Sequence, residues 1–333
     1  MLIDEKISSL RLQIMGLATI GVVLVHSPDI VVWKPMIRKL LSYGGIGVYV
    51  FVFLSAIGLY NSLKTRGGGR QAKLGFYKKR FTRLILPYTL IAMTCYGILD
   101  LVAENDWRAF FYHFSTISFW IEHEGAWYVA MLIPVYLVFP WFYDWAEKKN
   151  RKWKTFSVLA VMTVLGLVGS VLFPKLHNHL VQVIDSYIIY LIGYYYAGEE
   201  KKSNKNAIVL SAICMLLYVV KRIPYVENSE FVGSLTWSIL GIPFVFIAAI
   251  VLFVLNCKAL NKALGFLGKY SLEMYLWNTF LIQCFKTFGL SHYFQRMGDI
   301  HGYFSYAVIV VAGCLLSVIY GKLAVTAARH ILR

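Results

Sequence analysis

One histidine stands in an otherwise apolar stretch, Gly21-Val22-Val23-Leu24-Val25-His26-Ser27. An ionisable group at membrane depth is expensive unless it is paired or faces a cavity, which makes it a functional candidate by default. A neutral imidazole there can take a proton from a hydroxyl, the work of a general base. The same residue type also bonds packed helices together, and type and depth leave both readings open. A second group is basic, Lys78-Lys79-Arg80-Phe81-Thr82-Arg83. On an α-helix Arg80 and Arg83 share a face, one turn apart. Two guanidinium forks so placed grip phosphate bidentately, with the charge of Lys79 beside them. Pro87 cannot donate to the carbonyl of Arg83 and predicts a kink. An ordinary inside-positive anchor on lipid headgroups accounts for the same cluster.

Two further groups carry polar chemistry. Glu122-His123-Glu124-Gly125-Ala126-Trp127-Tyr128 brings two carboxylates, a histidine and two aromatic rings together. Rings stack on sugar faces and a carboxylate orients an imidazole, although an interfacial aromatic belt with solvated charges reads the same way. In Tyr270-Ser271-Leu272-Glu273-Met274-Tyr275-Leu276-Trp277-Asn278, Asn278 lies deep enough to need a hydrogen-bonding partner. It serves either as glue between helices or as part of a substrate channel.

The elements that must position these residues are set by composition. Hydrophobic residues make up 59% of the 333 and charged ones 15%, with a mean hydropathy of +0.62. A soluble core of this size cannot hide that much apolar surface, so lipid is the solvent. Apolar runs fall at 12–33, 44–63, 84–103, 127–145, 155–173, 183–198, 207–220, 235–255, 270–288 and 304–325. Most have the length to cross a bilayer, the sixth and seventh being short. The fold expected is an all-α membrane bundle of about ten transmembrane helices, one domain over residues 1–333. The charged start (Lys6, Arg11) lacks a small-x-small cleavage site, so the first run is read as a retained helix.

The net charge of +16 would suggest nucleic acid on a soluble domain, but no basic-aromatic module is present. Instead 24 of the 33 lysines and arginines fall in alternate connecting segments, eight of them in the loop expected over 64–83. That asymmetry places both termini in the cytoplasm. Gly67-Gly68-Gly69 lets the loop bend, and without a following Gly-Lys-Ser/Thr it is not a phosphate-binding loop. Cys95, Cys214, Cys257, Cys284 and Cys314 show no metal-type spacing and read as small hydrophobes.

In order along the chain, these pieces resemble the acyltransferase-3 family of polytopic membrane acyltransferases. Gly16-Leu17-Ala18 through His26-Ser27 is similar to the family's opening helix with its essential histidine. Gly44-Gly45-Ile46-Gly47-Val48 through Phe51-Val52-Phe53-Leu54-Ser55 is similar to its second helix, and Arg80-x-x-Arg83 with Leu86-Pro87 to its third-helix arginine motif. Trp127-Tyr128 through Tyr136 and Pro140 corresponds to the fourth helix, and Ser271 through Tyr275-Leu276 to the ninth. Many members carry a basic residue at Met15, where Arg11 is the nearest substitute, a histidine at Asn278 and a glycine at Ala56. The resemblance implies a multi-pass cell-membrane enzyme moving an acyl group, acetyl in the first instance, from cytoplasmic acyl-CoA to an extracytoplasmic or lipid-linked carbohydrate. His26 would be the catalytic residue, with Lys79, Arg80 and Arg83 at the donor phosphates and Glu122, Glu124, Trp127 and Asn278 towards the acceptor. Membrane lipid and the carbohydrate are then the partners, and no metal is indicated. A transporter or flippase for a lipid-linked glycan is the rival from another class. Coupled transporters place acidic residues near the midplane, whereas Asp100, Asp185 and Glu273 fall near expected helix ends. A membrane scaffold without catalysis would leave the ordered motifs unexplained.

Overall fold

The computed structural model describes residues 2–67, 69–199, 203–221, 223, 229–290 and 299–331. Gly68, from the glycine run, lies outside them. Among the described residues there is no strand. The α-helices in chain order are α1 (Ile3–Ser9), α2 (Arg11–Val25), α3 (Pro35–Ser42), α4 (Ile46–Lys64), α5 (Gly69–Arg80) and α6 (Leu86–Tyr96). They continue with α7 (Trp107–Phe114), α8 (Ile117–Glu122), α9 (Trp127–Lys148), α10 (Arg151–Leu172), α11 (Pro174–Ala197) and α12 (Asn204–Val220). Last come α13 (Glu230–Ser238), α14 (Gly241–Leu255), α15 (Lys258–Lys269), α16 (Ser271–Thr287) and α17 (Asp299–Ile331).

All ten apolar runs are largely helical, although the first leaves regular α-helix after Val25. Among the described residues seven helical stretches are both long and apolar enough to cross a membrane: Arg11–Asp29, Pro35–Lys64, Gly69–Ala103, Trp127–Lys148, Arg151–Leu172, Glu230–Leu255 and His301–Ile331. A stretch like α10 has 22 residues, about 33 Å at 1.5 Å per residue, enough for a hydrocarbon layer of roughly 30 Å. In α14, Gly-Ile-Pro-Phe-Val-Phe-Ile-Ala-Ala-Ile-Val-Leu-Phe-Val-Leu, every face is apolar, as a lipid-embedded helix requires. The structure corrects two boundaries. The expected basic loop over 64–83 is helical from Gly69 to Arg80, and α11 is 24 residues rather than a short span. It also moves Asp185 from an expected helix end to the middle of α11.

The chain divides into two compact units, one of Met1–Ala18, Gly45–Ala72 and Pro140–Lys269, the other of Thr19–Gly44, Lys73–Phe139 and Tyr270–Arg333. In the first, α4, α11 and α14 pack through Phe53, Tyr196 and Phe246, whose rings lie 5.3 to 5.9 Å apart. Helix α2 crosses α15 backbone to backbone, since a Cβ on Gly16 would lie 2.0 Å from the Leu264 carbonyl oxygen. Arg11 donates to the Leu54 carbonyl at 3.2 Å, with its guanidinium against Gly58. Asp185 is fully buried and accepts from Ser234 Oγ at 2.5 Å and Ser238 Oγ at 3.0 Å.

The second unit is built on α6, α7, α16 and α17, together with the C-terminal part of α2. An apolar cluster of Ile30, Val31, Ile282, Tyr306 and Ile309 anchors the chain just beyond α2 to α16 and α17. Gly21 and Gly44 bring two backbones into contact, and a Cβ on Gly44 would sit 2.1 Å from the Gly21 carbonyl oxygen. Every residue singled out in the sequence as a site candidate falls in this unit.

Candidate functional site

His26 does not lie inside a helix running to residue 33, as the apolar run suggested. Helix α2 ends at Val25, and His26 is the turn into a 3₁₀ segment, Ser27–Asp29. The cause is Pro28, which has no N–H for the Leu24 carbonyl it would meet in an α-helix. Ser27 Oγ donates to that carbonyl instead, at 2.7 Å, and Trp33 Nε1 donates to Ser27 Oγ at 2.9 Å. The next carbonyl back, Val23, accepts from the Tyr306 hydroxyl of α17 as well as from the His26 N–H at 3.2 Å. The helix end that carries His26 is therefore fastened by side chains on both sides.

Tyr306 also links this turn to Asn278, whose Oδ1 is 3.5 Å from the hydroxyl. Asn278 is 4% exposed, and its Nδ2 has no hydrogen-bond partner among the described residues. A buried amide donor left without an acceptor costs about 1–3 kcal/mol. Asp29 and Lys286 form an ion pair of 3.3 Å, and both act electrostatically on His26. Tyr306, Asp29 and Lys286 were missed in the sequence. Pro28 was the available signal for the helix end.

The arginine motif departs from its expected geometry. Arg80 ends α5, and Phe81–Ile85 is a π-helical turn in which the Leu86 N–H reaches the Phe81 carbonyl, five residues back. A π turn holds more residues than an α turn, so Arg80 and Arg83 no longer share one face. Pro87 is the physical reason: its ring cannot sit under the Arg83 carbonyl in a regular turn, and the extra residue widens the turn around it. Arg80 is half-buried between the rings of Phe76, 5.4 Å away, and Tyr136, 5.6 Å away, on α9. Arg83 is exposed and Lys79 half-buried. Tyr77 holds α5 to α9 by donating to the Leu137 carbonyl at 2.9 Å.

Glu124, just beyond α8, meets a different imidazole from the one expected. His123 ends α8 in a left-handed conformation and packs on Phe119. Glu124 Oε2 instead lies 3.7 Å from His113 Nε2, on α7. Glu122 accepts from the Tyr112 hydroxyl, and partial desolvation together with that carboxylate holds the phenol above its usual value. Trp127 opens α9 half-buried, its ring edge-on to Tyr128, which in turn meets Tyr275 of α16. The structure thus brings Arg80 to Tyr136 and Glu124 to His113, and ties Asn278 through Tyr306 to the backbone turn that carries His26. No group of three or more metal-ligating side chains occurs among the described residues.

Two comparisons, with curated proteins and with solved structures, find nothing that matches the chain. The family model for an acyltransferase domain matches residues 14–319, a stretch that includes His26, the arginine motif and Asn278. The chain is a multi-pass membrane acyltransferase and belongs to the acyltransferase-3 family.

Proposed function

We propose that the protein transfers an acyl group, acetyl in the first instance, from cytoplasmic acyl-CoA to a hydroxyl of an extracytoplasmic or lipid-linked carbohydrate. Ten crossings with both termini in the cytoplasm, as one membrane domain, complete this reading. The lysine and arginine asymmetry supports that orientation, because it brings Lys79, Arg80 and Arg83 to the face where CoA phosphates arrive. Bidentate guanidinium contacts suit those phosphates.

The observation that carries the reading is that Tyr306 donates to the Val23 carbonyl, which also accepts the His26 N–H, and reaches Asn278, whose amide Nδ2 has no partner among the described residues. Acyl transfer builds negative charge on the carbonyl oxygen while a hydroxyl loses its proton. A fixed N–H donor stabilises the first, and an imidazole takes up the second. His26 acts either as this base or as a carrier that holds the acyl group on a ring nitrogen. An acyl-imidazole trapped in membranes given labelled donor supports the carrier, and its absence under rapid quench supports the base.

The test compares cells making the wild-type protein with cells making His26→Ala at equal membrane abundance. Ester-linked acyl groups on surface glycans are measured by mass spectrometry. The reading requires them in the first and not in the second; equal amounts in both remove His26 from the chemistry. Glycan transport without acyl transfer is favoured by one observation, the burial of Asp185 at mid-helix. Transport of lipid-linked glycan that survives His26→Ala, with no ester in either strain, would establish it.

A further inference from the structure

The imidazole that meets Glu124 also meets a second, buried carboxylate in the same unit, Asp100. Helix α6 ends in another π-helical turn, Gly97–Ala103, which turns Asp100 inward, where it is buried. Asp106 then caps α7, its carboxylate accepting from the N–H groups of Arg108 at 2.7 Å and Ala109 at 3.0 Å. The Asp106 N–H donates back to the Asp100 carbonyl at 2.8 Å. The fold-back this creates delivers His113, in the last turn of α7, to Asp100: Nδ1 to Oδ2 is 2.9 Å.

That contact sets the imidazole's chemistry. A carboxylate on Nδ1 holds the proton there and leaves the Nε2 lone pair as an acceptor. Tyr96 stacks on the ring at 5.4 Å with 24° between planes, which fixes its orientation. Nε2 looks outward: the His113 side chain is 20% exposed and Glu124, 3.7 Å away, is 63% exposed. At 3.7 Å the two do not hydrogen-bond to each other. They stand side by side as two acceptors. The Tyr96 hydroxyl beneath is buried and has no partner among the described residues. Gly125, at φ +87°, packs directly over it, and a Cβ at that position would come within 2.7 Å of the hydroxyl.

Neighbouring hydroxyls of a polyol are what this arrangement fits. One donates to His113 Nε2 and the next to Glu124. A bare structural tie needs Asp100 and His113 but not the outward-facing lone pair beside an exposed carboxylate. We propose that His113 and Glu124, with Asp100 and the stacked Tyr96 ring positioning the imidazole, bind the polyhydroxylated acyl acceptor. This rests on the acyl-transfer reading and assigns the acceptor to a site separate from the arginines.

The test uses His113→Gln, which keeps a donor for Asp100, and Glu124→Gln, which lies at the surface. Full-length protein is compared in two measurements: ester-linked acetyl on surface glycans in cells at matched abundance, and acetyl-CoA affinity of the purified protein in lipid nanodiscs. The expected result is a loss of ester of about tenfold or more for His113→Gln, and a smaller one for Glu124→Gln, as hydrogen bonds of this kind imply. Acetyl-CoA affinity stays within about twofold of wild type, which a generally damaged fold would not allow. The proposal is overturned if ester in His113→Gln equals wild type, or if acetyl-CoA affinity falls in step with ester. If wild-type cells carry no ester, acyl transfer fails and this assignment with it; if wild type and His113→Gln carry equal ester, only this assignment fails.

Discussion

Ser27 Oγ donates to the Leu24 carbonyl at 2.7 Å and so replaces the N–H that Pro28 lacks. The end of α2, and with it the place of His26, is written in those three residues. Replacing Pro28 by Ala returns a main-chain donor to Leu24, lets the helix continue past Val25 and swings the imidazole away. Ester formation should fall by up to about 10²-fold, the scale of a misplacement near 1 Å, while the thermal midpoint changes little. Full activity in Pro28→Ala would show that the helix end does not set the position of His26.

Tyr306 fastens the same turn from α17 by donating to the Val23 carbonyl. Tyr306→Phe removes one oxygen and leaves that carbonyl without its side-chain partner. A destabilisation of about 1–3 kcal/mol is expected, read by thermal unfolding in detergent, with a drop in acyl transfer that exceeds the loss of folded protein. Activity that merely tracks abundance would make Tyr306 a packing residue only.

The Gly21–Gly44 contact admits no side chain, because the atom a Cβ would strike is backbone. Gly44→Ala should therefore cost about 1–3 kcal/mol through forced separation of the two segments. A melting temperature equal to wild type would mean that this contact opens freely.

Arg80 and Arg83 should behave differently despite belonging to one motif. Arg80 is held between Phe76 and Tyr136, and lysine cannot reproduce a planar stacked guanidinium. Arg80→Lys should weaken acetyl-CoA binding by about tenfold, on the order of 1.4 kcal/mol, and Arg83→Lys by less. Calorimetry with acetyl-CoA decides between them; equal losses would restore the single-face picture.

Asp106 makes the fold-back before His113 sensitive to acid. Two backbone N–H groups hold its carboxyl below the usual carboxylate value. A group whose folded value is depressed stabilises the fold above its unfolded value, near 3.9, and that contribution disappears as pH falls through the folded value. Protection of the amides over 107–114, taken relative to their intrinsic exchange rates, should therefore fall below about pH 4 in wild type. Asp106→Asn keeps a capping oxygen without a titrating group, and its protection in that range should not respond to pH.

The helices were legible because apolar runs of membrane length have few other solutions, and each run proved helical over most of its length. His26 and Asn278 stood out as polar types in apolar surroundings, and Arg80 as part of a basic run. What escaped was whatever depends on the chain leaving regular α geometry. Spacing put Arg80 and Arg83 on one face, and a π turn took them off it. Asp100 and His113 are thirteen residues apart, no helical interval, and only a capped fold-back brings them together. Tyr306 sits in a run where tyrosine reads as interfacial. Asp185 was placed by drawing α11 too short at its N-terminal end, since Lys175, His177 and His179 lower the local hydropathy there.

Helix α6 is bracketed by two π turns, Phe81–Ile85 before it and Gly97–Ala103 after it. Each turn accommodates one residue more than an α-helix would, and one residue amounts to about 100° of rotation. Its faces are consequently phased independently of α5 on one side and of the Asp100 turn on the other. Removing a single residue from either turn would leave a continuous helix and rotate everything beyond it by roughly that angle. In this span the reading frame of the helix, as much as any one side chain, determines which residues face one another.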